Sequence, residues 1–195
     1  MRVFIAVLVL ICSLQSWTKA DVAKDFEIEG MTIDDSLLDF FSEEEIIKNK
    51  QEAQYPNDDH ILTSFYKHKN FTTYEMILVA HKKNDKNYII TSIGGNIFYK
   101  DNINDCFTKK SEIEKEFDLL FNNVEKYSEK IKKDYDKTGN SYSHLIEYEF
   151  KNGDTIQITC DDWSKKLSDE ETLWDSLSVN IQSSNFRMFL DYAYN

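Results

Sequence analysis

An α+β fold built on an antiparallel sheet is predicted by three features of the sequence. Short segments alternate apolar and polar side chains, as strands with one buried face do; in one of them Ile146, Tyr148 and Phe150 alternate with two glutamates. Asn152-Gly153 joins two such segments, and this dipeptide favours a tight hairpin between antiparallel strands. Amphipathic segments of helical period separate the runs of strands. We therefore predict the order helix, three strands, helix, three strands, helix.

The first half of the chain is predicted to begin with two short helices. Thr32 and Ser42 are favourable N-caps, and Ser42 forms a capping-box pattern with Glu45. Three strands should follow, at about residues 61–68, 72–81 and 88–99. The pair Gly94-Gly95 should mark a bulge or kink in the third of these strands.

The clearest predicted helix lies in the middle of the chain. An apolar stripe of helical period predicts about five turns across the sheet, through Ile113, Phe117, Leu120, Phe121, Val124, Tyr127 and Ile131. Three further strands should follow, around residues 146–150, 156–160 and 177–181. A last amphipathic helix is predicted over 186–193.

Residues 21–195 are predicted to form a single α+β domain, because this length suits one hydrophobic core and no linker-like segment interrupts it. The segments 32–99 and 106–182 share one order of predicted elements without visible sequence identity. That order is compatible with a degenerate duplication or with coincidence.

Residues 1–20 have the pattern of a secretory signal peptide. Arg2 gives a positive start, residues 3–14 are almost entirely apolar, and Thr18-Lys19-Ala20 offers small residues where a signal peptidase cleaves. An uncleaved anchor is the alternative, but the apolar run is shorter than the about 20 residues that span a bilayer. We expect a periplasmic or secreted protein, with no stable membrane insertion after cleavage. The excess of lysine over arginine favours an AT-rich bacterial source, and a eukaryotic secreted protein is the alternative.

Two cysteines should remain after processing, because Cys12 lies in the signal peptide. Cys106 and Cys160 would then be in an oxidising compartment, where a disulfide is the favoured interpretation and a redox or metal pair is the alternative. Cys160 alternates with polar neighbours and should face the apolar side of the sheet, and Cys106 precedes the helix that should cover that side. We therefore predict a bond between them.

The charge of the chain excludes some classes of partner. The formal net charge is −12 at pH 7, and the signal peptide carries only basic charges, so the mature chain is more acidic still. Such a chain repels nucleic acid and anionic lipid unless its positive charges cluster. The lysines at 126, 130, 132 and 133 alternate with acidic residues, which indicates a solvated helix face. No nucleic-acid partner is expected.

No motif in the sequence supplies a catalytic residue, a metal site or a cofactor site. The four histidines show no metal-ligand spacing, and nucleophile-elbow, phosphate-loop and dinucleotide patterns are missing. The candidate binding surface consists of Asp161, Asp162, Trp163 and Trp174, which flank the predicted loop before the last strand. Paired carboxylates can perform acid–base chemistry, and tryptophan is common at interfaces. Solvated carboxylates and a partly buried tryptophan are the structural alternatives.

Two resemblances are carried by short motifs. Gly30-Met31-Thr32, Cys106 and the segment Cys160-Asp161-Asp162-Trp163 resemble features of a group of uncharacterised exported proteins from AT-rich marine bacteria. The Gly-Met-Thr helical corner before antiparallel strands is also weakly similar to SmpA/OmlA (BamE-like) envelope modules and to β-lactamase inhibitor protein. The second resemblance implies an envelope protein as one candidate partner. This sequence departs from those families because it lacks a good lipobox and has no Gly-x-Pro after the first helix.

Two functions of different class fit these observations. The first is a non-catalytic interaction domain of the periplasm or extracellular space, which binds a macromolecule through its sheet or through the Trp163–Trp174 segment. The second is a carboxylate-dependent hydrolase or carbohydrate-active enzyme. A concave pocket with converging carboxylates would favour the enzyme, whereas a flat or ridged apolar patch would favour the binding domain.

Overall fold

A computed structural model describes residues 22–51, 55, 59–100, 102–121, 124–171 and 173–194. The predicted signal peptide, 1–20, lies outside the described residues. The described chain forms one antiparallel sheet of seven strands, which confirms the α+β class. No helix in the described ranges has the length and apolar composition needed to cross a bilayer.

The elements follow one another in this order along the chain: 3-10 turns Ala23–Asp25 and Leu37–Asp39, helix α1 Glu43–Lys48, strands β1 His60–Tyr66, β2 Met76–Lys82 and β3 Ile90–Lys100, helix α2 Ile103–Leu120, strands β4 Glu125–Lys132, β5 Tyr142–Glu149 and β6 Thr155–Asp162, helix α3 Lys165–Glu171, strand β7 Asp175–Gln182 and helix α4 Ser184–Tyr194. The sheet order is β1-β2-β3-β7-β6-β5-β4. The last strand therefore enters between the two halves of the chain and joins them into a single sheet.

The predicted order of elements is wrong in the second half, which contains four strands and an additional short helix. The middle helix ends at Leu120, and Phe121 already has an extended backbone. The segment that should have continued this helix to Ile131 is the edge strand β4, which pairs along its whole length with β5. All of β4 is exposed and highly charged, as suits an edge strand that must not pair with another molecule. Lys126, Lys130 and Lys132 therefore lie on a solvated strand and not on a helix, and the half-buried Lys133 directly follows that strand.

The N-terminal segment differs from the prediction at one helix start and agrees at the other. Thr32 does not cap a helix. The helical turn that follows it begins at Leu37, where the Ser36 side chain accepts a hydrogen bond from the amide of Leu38. The capping box of Ser42 and Glu45 at the start of α1 is confirmed.

The core lies between one face of the sheet and a layer made by α2 and the N-terminal segment. Opposed residues of antiparallel strands share a face, so Ile158 of β6 and Val179 of β7 point towards α2. From the helix side, Ile113 and Phe117 of α2 are buried. The ring of Phe121 contacts those of Phe26, Phe117, Tyr148 and Phe150. We call this side of the sheet the helix face.

A disulfide joins Cys106 and Cys160, as predicted, and ties α2 to the helix face. The two Cα atoms are 6.0 Å apart, and both side chains are fully buried. Cys106 lies within the first turn of α2 and not before the helix as expected.

The glycine pair in β3 does not form the predicted bulge. Gly94 and Gly95 lie in regular pairing, and the irregularities in the ladders fall at Ala80/His81 and Phe98/Lys100. A Cβ on Gly95 would lie 2.5 Å from the ring of Tyr74. The glycine is therefore required because the Tyr74 ring packs directly on the strand.

Candidate functional site

The second face of the sheet points away from α2 and carries mostly polar side chains. Helix α4 covers the end of this face at which β7 finishes and β1 begins. There Phe186 and Phe189 contact His60 of β1, and Arg187 pairs with Glu147 of β5 at 3.3 Å. We call the remaining part the open face. Its strands contribute amides and hydroxyls: Asn96, Gln157, Thr159, Ser176, Ser178 and Asn180.

The four residues of the predicted binding surface do not share one face. Neighbouring residues of a strand point to opposite sides, so Asp161 lies on the open face while Asp162 lies on the helix face beside His144. The Asp161 carboxylate accepts a hydrogen bond from Ser143 and lies 2.8 Å from the ammonium of Lys133. The Asp162 carboxylate lies 4.0 Å from His144 Nε2. The two carboxylates therefore do not converge on one point.

Trp163 and Trp174 both lie on the side of the open face, at the end where β6 stops and β7 begins. The amide of Trp163 donates to the Asp175 carboxylate at 2.9 Å, which continues the contact between the two strands beyond their ladder. The predicted loop between the tryptophans contains α3. Both tryptophans are half-buried.

Further aromatic rings extend this end of the sheet in both directions. Phe98 lies 5.9 Å from Trp174 and 6.3 Å from Tyr66, and Tyr135 lies 5.9 Å from Trp163, all between ring centroids. We call these five residues the aromatic rim. Sequence reasoning missed Tyr66, Phe98 and Tyr135, although Phe98 alternates with the core positions of its strand and so belongs to the open face.

Lysines lie over three rings of the aromatic rim. The ammonium groups of Lys67, Lys100 and Lys133 are 5.1, 5.6 and 4.9 Å from the ring centroids of Tyr66, Trp174 and Trp163. Such contacts are attractive because the face of an aromatic ring is electronegative. The rim thus places basic groups beside apolar area in a chain that is acidic overall.

The centre of the open face contains an amide with an unused donor. Asn96 is only 7% exposed, and within the described part of the chain its Nδ2 has no hydrogen-bond partner. The side chain of Asn180 lies across Gly94, where any Cβ would collide with it, and donates to Ser178 Oγ at 3.4 Å.

The histidines are distributed over the structure and do not form a site. Each packs against an aromatic ring: His60 on Phe189, His68 on Phe41, His81 on Tyr88 and His144 on Phe107. Burial is the main cause that lowers the pKa values of His60, His81 and His144. Among the described residues, no group of three or more His, Cys, Asp or Glu side chains is arranged to hold a metal ion.

Comparison with family models, with curated proteins and with solved structures finds no significant match to this chain. The resemblances to exported proteins of marine bacteria, to BamE-like modules and to β-lactamase inhibitor protein therefore stay predictions.

Proposed function

We propose that this protein is an exported, non-catalytic interaction domain, in the periplasm or extracellular space, which binds a macromolecular partner through its open face and aromatic rim. The proposal rests on the aromatic rim, whose rings are partly exposed at one end of the open face. Helix α4 covers the opposite end of that face. Aromatic residues are enriched at the centres of protein interfaces, where they bury large apolar area at low entropic cost.

Export is supported by the first twenty residues and by the disulfide, since such bonds persist in oxidising compartments. An envelope protein is one candidate partner. Lys100, over the ring of Trp174, favours a partner surface with an acidic group, because complementary charge speeds association and selects partners. The other two lysines of the rim already lie beside carboxylates, Lys67 beside Glu75 and Lys133 beside Asp161.

The alternative of a carboxylate-dependent hydrolase or carbohydrate-active enzyme is less well supported. Acid–base catalysis by two carboxylates needs both groups directed at the same bond. Asp161 and Asp162 point to opposite faces, and Asp161 is already paired with Lys133. This arrangement gives no support to a catalytic pair formed by Asp161 and Asp162.

The test compares Trp174→Ala with wild-type protein and with Leu119→Ala. Leu119 is 82% exposed on α2, on the other side of the sheet, so its variant controls for the loss of an exposed apolar group. Each purified protein is immobilised and exposed to the envelope and secreted fractions of the source cells. We expect one specific partner to be retained by wild type and Leu119→Ala, and its affinity to fall by about 30-fold or more in Trp174→Ala, as for an interface hot spot.

Equal retention by the three proteins would contradict the proposed surface, provided that their unfolding temperatures agree. The enzyme alternative is tested with the same preparations in a hydrolase screen. Turnover that disappears in Asp161→Asn would replace the binding proposal by the catalytic one.

A further inference from the structure

The hairpin turn that joins β5 to β6 also holds the start of helix α4. Asp154, which is 7% exposed, accepts a hydrogen bond on its carboxylate from the amide of Ser184, the first residue of α4, at 2.9 Å. One turn further along the helix, the Arg187 guanidinium donates to the carbonyl of Gly153 at 3.3 Å. The docking of α4 on the sheet therefore depends on the shape of this turn.

Asn152 shares the Asp154 carboxylate with α4. Its Nδ2 donates to Oδ2 of Asp154 at 2.7 Å, and its Oδ1 accepts a hydrogen bond from the Asp154 amide at 3.2 Å. Ser184 uses the other carboxylate oxygen, Oδ1. Asn152 itself is exposed to solvent. A chemical change in its side chain therefore reaches the first amide of α4 through one buried carboxylate.

Asn152 is the only asparagine in the 195-residue sequence that is followed by glycine. Glycine has no side chain to shield its backbone nitrogen, so this nitrogen can reach the neighbouring amide carbon. The nitrogen of Gly153 attacks Cγ of Asn152, and its proton passes through solvent to the side-chain nitrogen, which leaves as ammonia. A succinimide ring is formed, and water then opens it. Cleavage at the former side-chain carbonyl gives aspartate, and cleavage at the backbone carbonyl gives isoaspartate, in which the chain runs through Cβ.

The folded turn restrains this reaction. The Gly153 amide donates to the carbonyl of Phe150 at 2.8 Å, and the Asn152 side chain is held by Asp154. Both hydrogen bonds must open before the nitrogen can attack. Such local opening is an equilibrium, and α4 opposes it because the helix holds the same turn. The rate of reaction at Asn152 therefore depends on how firmly α4 is docked.

We propose that Asn152 is a site of spontaneous deamidation, and that its conversion to aspartate or isoaspartate loosens the docking of α4. Aspartate lacks the Nδ2 donor and places a second carboxylate beside that of Asp154, where like charges repel. Isoaspartate adds a methylene group to the backbone of the turn and shifts the Gly153 carbonyl away from Arg187. The inference concerns the docking of α4 and does not depend on the proposed function.

Ageing of the purified, disulfide-bonded protein tests the site. The protein is incubated in mildly alkaline buffer with and without urea, and peptide mapping by mass spectrometry follows every asparagine. We expect Asn152 to be the first asparagine converted in the folded protein, and to react about tenfold faster in urea, where the turn is open. Retention of Asn152 in the folded protein while other asparagines convert, or retention of all of them, would overturn the proposed site. Equal rates with and without urea would contradict the restraint by the folded turn.

Hydrogen exchange measures the effect on α4. In Asn152→Asp, and in the isoaspartate form isolated from aged protein, the amides of α4 should exchange about tenfold faster than in wild type. Asn140→Asp adds the same charge in the turn between β4 and β5, where the hydrogen bonds of Asn140 come from its backbone amide. Both positions are exposed, so both variants should fold. Unchanged exchange of α4 in Asn152→Asp, or equal acceleration in the two variants, would contradict the link from this turn to α4.

The coupling should also act in the opposite direction, because a link between two sites is reciprocal. Arg187→Gln removes the contact of α4 with the Gly153 carbonyl and should speed the conversion of Asn152 in the folded protein. Lys166→Gln removes the same charge from α3 and should leave that rate unchanged. Equal conversion rates in the two variants would contradict control of the turn by α4.

Discussion

Replacing Phe121 by alanine should remove the ring on which the packing of α2 against the sheet depends. Phe121 follows the last residue of α2 and is 8% exposed. Its centroid lies 5.0–5.2 Å from the rings of Phe26, Phe117, Tyr148 and Phe150. These rings come from the N-terminal segment, from α2, and from β5 with the residue that follows it, so one side chain connects three parts of the core.

The magnitude follows from transfer and cavity terms. Removing a buried phenyl group forfeits about 2–3 kcal/mol of transfer free energy. A cavity of roughly 100 Å³ that collapses only in part adds up to about 2 kcal/mol at ~24 cal/mol per Å³. We expect the free energy of unfolding to fall by about 3–5 kcal/mol, and Tm to fall by about 10 °C for a domain of this size.

Urea unfolding followed by circular dichroism measures this loss directly. Leu119→Ala is the matched control, because Leu119 lies two residues away but is 82% exposed, and its variant should change stability by less than about 0.5 kcal/mol. A loss below about 1 kcal/mol for Phe121→Ala would mean that the ring is not buried and would refute the described packing of α2.

Three further predictions concern single features of the fold. The Cys106–Cys160 bond spans 54 residues, and its reduction should lower the free energy of unfolding by on the order of 4 kcal/mol. Urea unfolding with and without reductant measures this loss. An unchanged midpoint would refute a cross-link that restrains the unfolded chain. Burial raises the pKa of Asp136, but hydrogen bonds, chiefly from Ser141 and Thr138, hold it below its usual range. The carboxylate should therefore stabilise the fold above its unfolded pKa of about 3.9, and this contribution is lost as pH falls towards the folded value. Asp136→Asn should be less stable than wild type at pH 7 and approach it below about pH 3; a pH-independent difference would argue against the hydrogen-bonded carboxylate. Gly95→Ala should cost about 1–3 kcal/mol because of the Tyr74 ring, and the cost should shrink in a Tyr74→Ala background; equal costs in both would place the strain elsewhere.

Local sequence patterns correctly predicted those features of the fold that neighbouring residues determine. Asn152-Gly153 predicts the hairpin between β5 and β6, where Gly153 has a φ of +83° that other residues rarely adopt. Cys160 alternates with polar residues, so its place on the buried face followed from strand geometry. The disulfide could therefore be predicted without knowledge of the sheet order.

Features that depend on pairing between distant segments could not be predicted from the sequence. Tyr127 and Ile131 are four residues apart, and this spacing puts them on one side of a helix and also on one side of a strand. Only pairing with β5 selects the strand, and that partner lies beyond an intervening turn. Two further residues of the aromatic rim were missed for a similar reason. Tyr66 meets Phe98 across β2, and Phe98 meets Trp174 because β7 lies next to β3.

The separation of Asp161 from Asp162 follows from strand geometry alone. Adjacent residues in a strand must point to opposite faces, and the strand through Cys160 continues to Asp162. Extending the predicted strand by two residues, from Cys160 to Asp162, is therefore enough to place the two carboxylates of the candidate surface on opposite sides of the sheet.

Site-specific photo-crosslinking tests most directly the central claim that a partner binds the open face. A photoreactive phenylalanine analogue replaces Tyr66, which is 50% exposed on the aromatic rim, or Leu119 on the opposite side. Irradiation in the exported fractions of the source cells should give one discrete adduct from position 66 and none from position 119. A discrete adduct only from position 119, or none from position 66, would contradict the claim.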